Sequence, residues 1–413
     1  MSTLKEPHPL FMGHVITPET VVVGCDVGKT HHQLHAMDSA MGRLGRRRIH
    51  NTRRGVDEAM DWVAGLADDV VLVIDQKASY AALLRYLADR HDITVVYVTG
   101  LQARRATDLT PGRAKTDRID AEVLASFGRT HGHRLPVLVA EDELTIDMRL
   151  LLGRDEDLRC DFNRIINRLR DLLTQYCPDL EQALGRRLSV KGVLSVLARW
   201  GNPAKLARAR ATTITKTIAE HNPRMAAKVA EIVKDATSQT MNTAGLGTAG
   251  RLISQLAVDA LRVTTERNEI QGELTELAVT HPDYELLMSV PGLGAKTAVR
   301  FIAEVGDIKR FPTPGHLASY AGLAPVNRQS GTGLNTVAKD RAGNHRLKNA
   351  LFLAAFVASR HDPTAIEFYQ QQRNRGKHHN AATIAVARKR CNIIWAVLTK
   401  QQPYTPQKPP KRC

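Results

Sequence analysis

The sequence is poor in aromatic residues and in cysteine. Aromatic side chains account for 5% of the 413 residues, although hydrophobic residues together account for 43%, a balance typical of folded, helix-rich domains with aliphatic cores. The five cysteines are scattered and form no CxxC pair, so neither a disulfide framework nor a cysteine-rich metal site is expected. This cysteine usage favours a reducing, cytoplasmic location.

Long apolar runs are absent as well. No run approaches the ~20 residues needed to cross a bilayer, and Met1 to Glu19 contain no basic stretch followed by an apolar core. We therefore expect no membrane span and no export signal. The length, by contrast, suffices for two or three domains, each with its own core.

Acidic residues are outnumbered by basic ones. Asp and Glu total 42 against 58 Lys and Arg, which leaves a formal net charge of +16. A charge of this size attracts polyanions, so nucleic acid is the leading partner. A soluble protein that happens to be basic, or one that lies on anionic lipid, is the alternative that the motifs must decide against.

Hydrophobic patterning in the first hundred residues predicts an α/β domain. The apolar run of residues 70–74 is typical of a strand buried on both faces. The element order is β-β-β-α-β-α-β followed by a helix, which is the order of the RNase H-like fold. The predicted strands are residues 21–26, 32–37, 43–50, 70–74 and 93–98, and the predicted helices are residues 55–66 and 79–90.

The remainder is predicted to be mostly helical. Two amphipathic stripes, residues 148–176 and 252–277, suit an antiparallel helical hairpin or a coiled-coil dimer arm, with packing inside one domain as the alternative. Residues 184–240 are interpreted as an inserted helical segment. The predicted organisation is an extension at residues 1–20, an α/β domain at 21–140, a helical region at 141–280, a C-terminal domain at 281–400 and a disordered basic tail at 401–413.

Four aspartates are predicted to converge in the α/β domain. Asp26 and Asp75 each follow an apolar strand, and the two strands are neighbours in an RNase H-like sheet. Asp117 and Asp120 are three residues apart at a predicted helix start, so they share one helix face. Such a cluster suits two Mg²⁺ ions about 3.5–4 Å apart, which clamp the attacking and leaving oxygens at a phosphorus.

Other interpretations of these residues stay open on local grounds. Asp117 could be an ordinary first-turn acid favoured by the helix dipole, and Asp26 a turn residue. Residues 26–30 also resemble the phosphate-binding hairpin of actin-like kinases, but no second β-β-β unit follows. His31, His32 and His35 have no further ligand at a matching spacing, so we interpret them as surface strand residues rather than as a metal site.

Two glycine-containing motifs lie in the C-terminal domain. Residues 289–298 resemble a helix-hairpin-helix element, in which glycines let backbone N–H groups approach a phosphate and Lys296 adds charge; a plain helix-turn-helix connection is the alternative. Ser330 lies in a Gly-rich loop, where a serine is more often a turn former than a nucleophile.

Four motifs occur together and in order: GCDVGK at residues 24–29, KTDRIDA at 115–121, VPGLGAKTA at 290–298, and a GLAP, QSG, GN and Leu block over 322–347. In this combination the chain resembles the insertion-sequence transposases that include the pilin-gene invertases and the RNA-guided bridge recombinases. The resemblance covers residues 21–400. It implies an α/β plus all-α protein with a RuvC-like (RNase H-like) domain, a coiled-coil middle and a mostly helical C-terminal transposase domain.

The resemblance also implies roles for residues of the motifs. The carboxylates of Asp26, Asp75, Asp117 and Asp120 would be catalytic and hold Mg²⁺, and Ser330 would be the nucleophile. A structured guide RNA and a dimer or tetramer that brings DNA ends together are implied as partners. The residues expected to contact nucleic acid are Lys115, Arg118, Gly292, Gly294, Lys296, Arg328, Lys339, Arg341 and Arg346.

Two departures and two alternatives accompany this interpretation. The family's second acid is usually glutamate, one methylene longer than Asp75, and the segment at residues 184–240 is longer than the usual linker. One alternative is a structure-specific endonuclease that uses metal-activated water instead of Ser330. The other is a nucleic-acid-binding protein that keeps the fold without catalysis.

Overall fold

A computed structural model describes residues 16–76, 79–109, 116–138, 142–238, 244–330, 334–339 and 343–406, with the backbone alone for residues 79, 325–330 and 334–339. Ile146–Tyr284 together with Ala298–Ala303 form one compact unit, and the rest of the described chain forms the other. Among the helices described, none has the length and apolarity needed to cross a membrane.

The N-terminal region is built on a six-stranded mixed sheet with the order β3-β2-β1-β4-β5-β6. The strand β1 pairs antiparallel with β2 and parallel with β4, β5 continues the parallel part, and β3 and β6 are antiparallel edge strands. The strands are β1 (Val21–Val27), β2 (His31–Met37), β3 (Arg43–His50), β4 (Val70–Ile74), β5 (Thr94–Tyr97) and β6 (Val137–Leu138), and the helices are α1 (Arg53–Ala64), α2 (Ala82–Arg90), α3 (Gly100–Asp108) and α4 (Asp117–His131).

This arrangement confirms the predicted RNase H-like fold, including the adjacency of β1 and β4. The five predicted strands and two predicted helices are all present, with ends that differ by three residues or fewer. Two helices, not one, follow β5. The two-residue strand β6 was not predicted because it is too short to show a hydrophobic pattern.

Both faces of the sheet are covered by helices. One face presents Val23, Cys25 and Leu72 to a core completed by α1 and α2, whereas the other presents Val22 and Val73 to α4. Successive residues of a strand point to opposite faces, so a continuous apolar run such as β4 fills both cores at once.

Two of the three histidines on β2 that were predicted to lie at the surface are buried instead. His32 and His35 are buried, at 1% and 2% exposure, and only His31 is partly exposed. The side chain of Arg46 in β3 donates to Nδ1 of His35 at 3.0 Å, so His35 is held by hydrogen bonding inside the sheet.

The unit Ile146–Tyr284 is helical, and its two longest helices pair within the chain. Arg154 donates to Glu266 at 2.9 Å, and a Cβ atom on Gly245, just before the start of the second helix, would lie 3.0 Å from the hydroxyl of Tyr176 at the end of the first, so the two helices run antiparallel. Residues of the segment at 184–240 share one apolar core with these two helices, so the segment is a helical subdomain packed on the pair. The helices are α5 (Glu143–Tyr176), α6 (Pro178–Leu184), α7 (Lys191–Trp200), α8 (Pro203–Arg208), α9 (Ala211–Ala219), α10 (Ala226–Thr237) and α11 (Leu246–Val279).

The C-terminal region is mostly helical, as predicted, with one antiparallel hairpin. Of the predicted tail, residues 401–406 are described, and the backbone N–H of Tyr404 donates to Ser289 Oγ at 2.9 Å. The elements are α12 (Tyr284–Met288), α13 (Ala295–Val305), α14 (Pro314–Tyr320), β7 (Pro325–Ser330), β8 (Leu334–Lys339), α15 (His345–His361), α16 (Pro363–Asn374) and α17 (His379–Lys400).

Candidate active site

Asp26 and Asp75 lie side by side at the carboxyl ends of two parallel strands. Cys25 is in register with Ile74, so the next residue of each chain segment is an aspartate. By the alternation of side chains along a strand, Asp26 and Asp75 share the face that carries α4. The parallel register of β1 and β4 is therefore sufficient to bring the two aspartates together.

Helix α4 reaches this pair because Gly24 lets it approach the sheet. A Cβ atom on Gly24 would collide with the carbonyl oxygen of Ala121 and with the backbone nitrogen of Ala125. Gly128, further along α4, is also close to the sheet. A Cβ atom there would lie 2.4 Å from Cγ2 of Val73. Since Asp120 precedes Ala121, the close contact at Gly24 holds the start of α4 next to Asp26.

Three of the four predicted acids line one open cleft. Asp26, Asp75 and Asp120 face a cleft of about 330 Å³. Asp117 is exposed on the first turn of α4 and is not among the residues that line this cleft.

Helix α3, which was not predicted to take part in the site, lines the same cleft as the acids. Its lining residues recur at helical spacing, which identifies one face of the helix. They include a positive charge, Arg104, and a fourth acid, Asp108. The only signal in the sequence was the Arg104-Arg105 pair, which is usually a solvated face when seen alone. The lining residues of α3 are Gly100, Ala103, Arg104, Thr107 and Asp108.

Burial makes the cleft unfavourable for negative charge. It raises the pKa of the Asp75 carboxyl above its ordinary value, and the nearby charge of Asp120 raises it further. Burial also raises the pKa of the Cys25 thiol, with smaller contributions from the charges of Asp26 and Asp75. The effect of Asp120 on Asp75 is the repulsion expected between two carboxylates that face the same cleft.

The donor chemistry of the cleft fits a hard divalent cation. All the acidic groups present oxygen, and Oδ1 of Asp75 is buried without a hydrogen-bond partner, an arrangement that a bound cation would satisfy. Across the described residues, no three His, Cys, Asp or Glu side chains are grouped closely enough to hold an ion as they stand.

The residues predicted to contact nucleic acid near this cleft are only partly described. Arg118 is exposed in the first turn of α4, next to Asp117. Lys115 lies outside the described residues.

The turn of the helix-hairpin-helix element has two different glycines. Gly292 has a φ of +93°, and a side chain there would collide with the backbone of α15 at Ala354, so this glycine is required for packing. Gly294 and Lys296 are exposed at the start of α13, and the backbone N–H of Gly294 donates to Oγ1 of Thr297 at 3.4 Å. The phosphate contact at Gly294 and Lys296 stays a prediction, while packing against α15 is a sufficient reason for Gly292.

Ser330 is the last residue of β7, not part of a loop, since its backbone pairs with Leu334 of β8. Arg328 and Lys339 belong to the same hairpin, and Arg341 lies outside the described residues. Backbone pairing is present as far as Ser330 and Leu334, so strand structure replaces the predicted loop at Ser330.

The two ends of this hairpin are joined by a hydrogen-bonded network centred on Asn344. Its side-chain amide donates to Glu304 Oε2 at 2.8 Å and to the hydroxyl of Tyr320 at 3.2 Å, and its backbone N–H donates to the carbonyl of Tyr320 at 2.7 Å. Its Oδ1 caps α15 by accepting from Arg346 and Leu347 N–H groups. The hairpin that carries Ser330 therefore lies in the chain between two helices, α14 and α15, whose ends this network fixes to each other as a base.

Two protein-family models match the chain. One, a DEDD-type transposase model for IS110, covers residues 23–178, and the other, described as transposase of the IS116/IS110/IS902 family, covers residues 284–370. Together they include the carboxylate cleft and the Ser330 hairpin.

Individual relatives agree with these matches. An uncharacterised 43.6 kDa protein of insertion element IS110 from Streptomyces coelicolor is 38% identical over 92% of this chain and 94% of its own length. The pilin gene-inverting protein of Moraxella bovis is 35% identical over 29% of this chain and 38% of its own length. Among solved structures, Thermus thermophilus RuvC in complex with a Holliday junction covers 29% of this chain and 99% of RuvC, with 15% identity and a TM-score of 0.23.

Proposed function

Because the chain belongs to the IS116/IS110/IS902 family of transposases, we propose that it cuts and rejoins DNA at the ends of its own mobile element, using a carboxylate cleft and a serine nucleophile. The observation that carries this proposal is the convergence of Asp26, Asp75 and Asp120 on one open cleft. A DEDD-type nuclease domain typically works with a divalent metal ion. Here the ion would be Mg²⁺, in two copies.

The carboxylates hold and orient the reacting phosphate. Asp26, Asp75 and Asp120 would be the ligands, with Asp117 one helical turn from Asp120 as the fourth acid of the set. When bound, the ions would polarise the scissile phosphate and neutralise charge on its oxygens. Arg104 on α3 stands across the same cleft, where its guanidinium can hold a second phosphate oxygen of the strand.

Ser330 supplies the covalent step. Its Oγ gives up a proton and forms a bond to phosphorus as the ester bond from phosphorus to a DNA oxygen breaks. That oxygen takes up a proton and leaves as a hydroxyl, so the phosphate end of the strand stays on the protein. The hydroxyl of another DNA end then attacks the same phosphorus and releases the serine, which conserves the energy of the bond for rejoining. The fixed base around Asn344 supports this role because a nucleophile must be held in place to react.

Nucleic-acid contacts complete the proposal. Lys115, Arg118, Gly294, Lys296, Arg328, Lys339, Arg341 and Arg346 bind phosphates, in keeping with the net charge of +16. A structured RNA of the element guides target choice, and a dimer or tetramer brings the DNA ends together. Both partners enter the proposal through the family resemblance.

The test is whether a covalent protein–DNA adduct forms. Purified protein is incubated with Mg²⁺, the element's transcript and junction DNA, and adducts that survive denaturant are counted for the wild type and for Ser330→Ala and Asp120→Ala. Both variants should lose the adduct. The matched controls are Ser359→Ala, whose hydroxyl donates only to its own helix at Ala355, and Asp89→Ala, exposed at the end of α2.

Other results would change the conclusion in defined ways. Cleavage without an adduct, unaffected by Ser330→Ala, would establish a metal-water endonuclease and remove the serine from the mechanism. Binding without cleavage under any divalent metal would establish a nucleic-acid-binding protein without catalysis.

A further inference from the structure

A row of side chains extends from the carboxylate cleft across the sheet. Asp26 on β1 is in register with Gln33 on β2, and Gln33 is in register with Arg48 on β3. Residues in register on adjacent strands lie on the same face. Arg48 therefore shares the face of the catalytic acids, two strands away, which at a strand spacing of about 4.8 Å is roughly 10 Å.

Two histidine rings lie beside Arg48 and add ring nitrogens that can hydrogen-bond to a ligand. His31 of β2 pairs with His50 of β3, and their ring centroids are 4.2 Å apart. Burial lowers the pKa of His31, and the charges of Arg48 and His50 lower it further, which places all three side chains together. We call His31, Arg48 and His50 the basic cluster.

The basic cluster is not neutralised by the protein. Arg48 and His50 are exposed, and within the described part of the chain no carboxylate forms an ion pair with either. The neighbouring Arg46, on the same face, differs because Glu122 of α4 engages it. An exposed cation without a carboxylate, in a row with a nuclease cleft, is available to an external anion.

The adjacent arginine provides an internal comparison. Arg47 points to the opposite face, where its guanidinium lies 4.8 Å from the ring centroid of Trp62. Arg47 and Arg48 thus carry the same charge on consecutive residues of one strand, but only Arg48 shares a face with Asp26.

We propose that the basic cluster binds the sugar-phosphate backbone of the DNA strand whose scissile phosphate occupies the carboxylate cleft. This inference rests on the proposed function and adds a second contact point for the same strand. A separation of roughly 10 Å corresponds to about three nucleotides along one strand of B-form DNA. The cluster would thereby set the direction in which the strand leaves the acids.

The test is the salt dependence of DNA binding by the full-length chain. A fluorescein-labelled four-way DNA junction, a single DNA strand of one of its arms and an RNA of the same sequence are titrated by anisotropy in EDTA, over a range of NaCl concentrations. Arg48→Gln should weaken binding of both DNA probes and reduce the slope of log K against log salt by about 0.7 for the single strand. Arg48→Lys should restore the slope, and Arg47→Gln should leave it unchanged.

Three results would overturn the inference. An Arg48→Gln protein with the wild-type slope would show that no phosphate is bound there. Equal losses in Arg47→Gln and Arg48→Gln would place the ligand in the cleft of about 310 Å³ at the sheet edge that both arginines line. A loss for RNA alone would assign the cluster to RNA.

The same proteins separate this inference from the proposed function. A wild type that forms the serine adduct while Arg48→Gln binds DNA normally would refute the cluster and leave the function intact. A wild type that forms no adduct, combined with the predicted change of slope in Arg48→Gln, would refute the chemistry and leave the cluster intact. Thermal melts of each variant check folding, which is expected to be preserved because Arg48 is exposed.

Discussion

The dependence of the acidic cleft on Gly24 gives a prediction that joins stability to activity. In Gly24→Ala the new methyl group would overlap backbone atoms of Ala121 and Ala125, at less than the 3.0 Å that real Cβ atoms keep. Backbone atoms of a helix cannot rotate away as a side chain does, so α4 must move by roughly 1 Å to restore van der Waals contact. Asp120, at the adjacent position, moves with it.

The magnitudes follow from that displacement. Overpacking of a tight contact costs about 1–3 kcal/mol, and a cost near 2 kcal/mol lowers the melting temperature of a domain of this size by on the order of 10 °C. A catalytic group misplaced by about 1 Å costs on the order of 100-fold in rate. We therefore expect Gly24→Ala to be both less stable and at least about 100-fold slower in DNA cleavage.

Hydrogen exchange of α4 amides, thermal melting and the cleavage assay measure these effects. The matched control is Gly65→Ala, in the same domain, because a Cβ there meets only ordinary contacts, the nearest at 3.4 Å from Asp61. If Gly24→Ala melts like the wild type, keeps α4 protection and cleaves within tenfold of it, then the close contact does not position Asp120.

Three further predictions concern buried polar groups. Asp75→Asn should raise the melting temperature of the metal-free protein while abolishing cleavage. The raised pKa of Asp75 means that its charged form lowers the free energy of unfolding at neutral pH. A lower melting temperature would contradict this. Asn344→Ala removes the amide that donates to the carboxylate of Glu304, which is only 9% exposed. About 1–3 kcal/mol of stability and most of the Ser330 adduct should therefore be lost. An unchanged melting temperature and adduct yield would argue against a fixed hairpin base. Arg390→Met should cost about 3–5 kcal/mol because Asp362, its ion-pair partner at 4% side-chain exposure, stays buried and charged, and Asp362→Asn in the same chain should recover most of the loss in a denaturant titration.

The centre of the sheet could be predicted from the sequence because the strands β1 and β4 are short and apolar. The run Val70–Ile74 is buried on both faces, and such a run has few alternative structures in a chain of this order. The positions of Asp26 and Asp75 could be predicted for the same reason, since both lie at the carboxyl end of an apolar strand. The pairing of α5 with α11 was one of three arrangements that the stripes allowed. It depends on contacts between residues far apart in the sequence, such as Leu169 and Ile253, which belong to one apolar core.

The features that could not be predicted depend on contacts between elements that are far apart in the sequence. Nothing in the Gly24 region indicates that a helix nearly a hundred residues later will contact it, because the signal is the absence of a side chain. The contribution of α3 was missed for a related reason. Arg104 has the sequence context of a solvated surface arginine, and only the fold brings it into the same cleft as the carboxylates. Burial of His32 and His35 was missed because polar residues on a strand usually mark the solvent face.

The buried side chain of Asp75 connects an unfavourable position in the fold with a proposed function. A buried carboxylate oxygen without a partner lowers stability, and a sequence selected only for folding would replace it with an amide or an apolar residue. Local rules tend to be broken at functional sites, where the cost is compensated elsewhere. Asp75 keeps this oxygen buried at the wall of the cleft. A cation bound to that oxygen would offset the local cost, so the same carboxylate that lowers the stability of the metal-free domain would raise the stability of a metal-bound one.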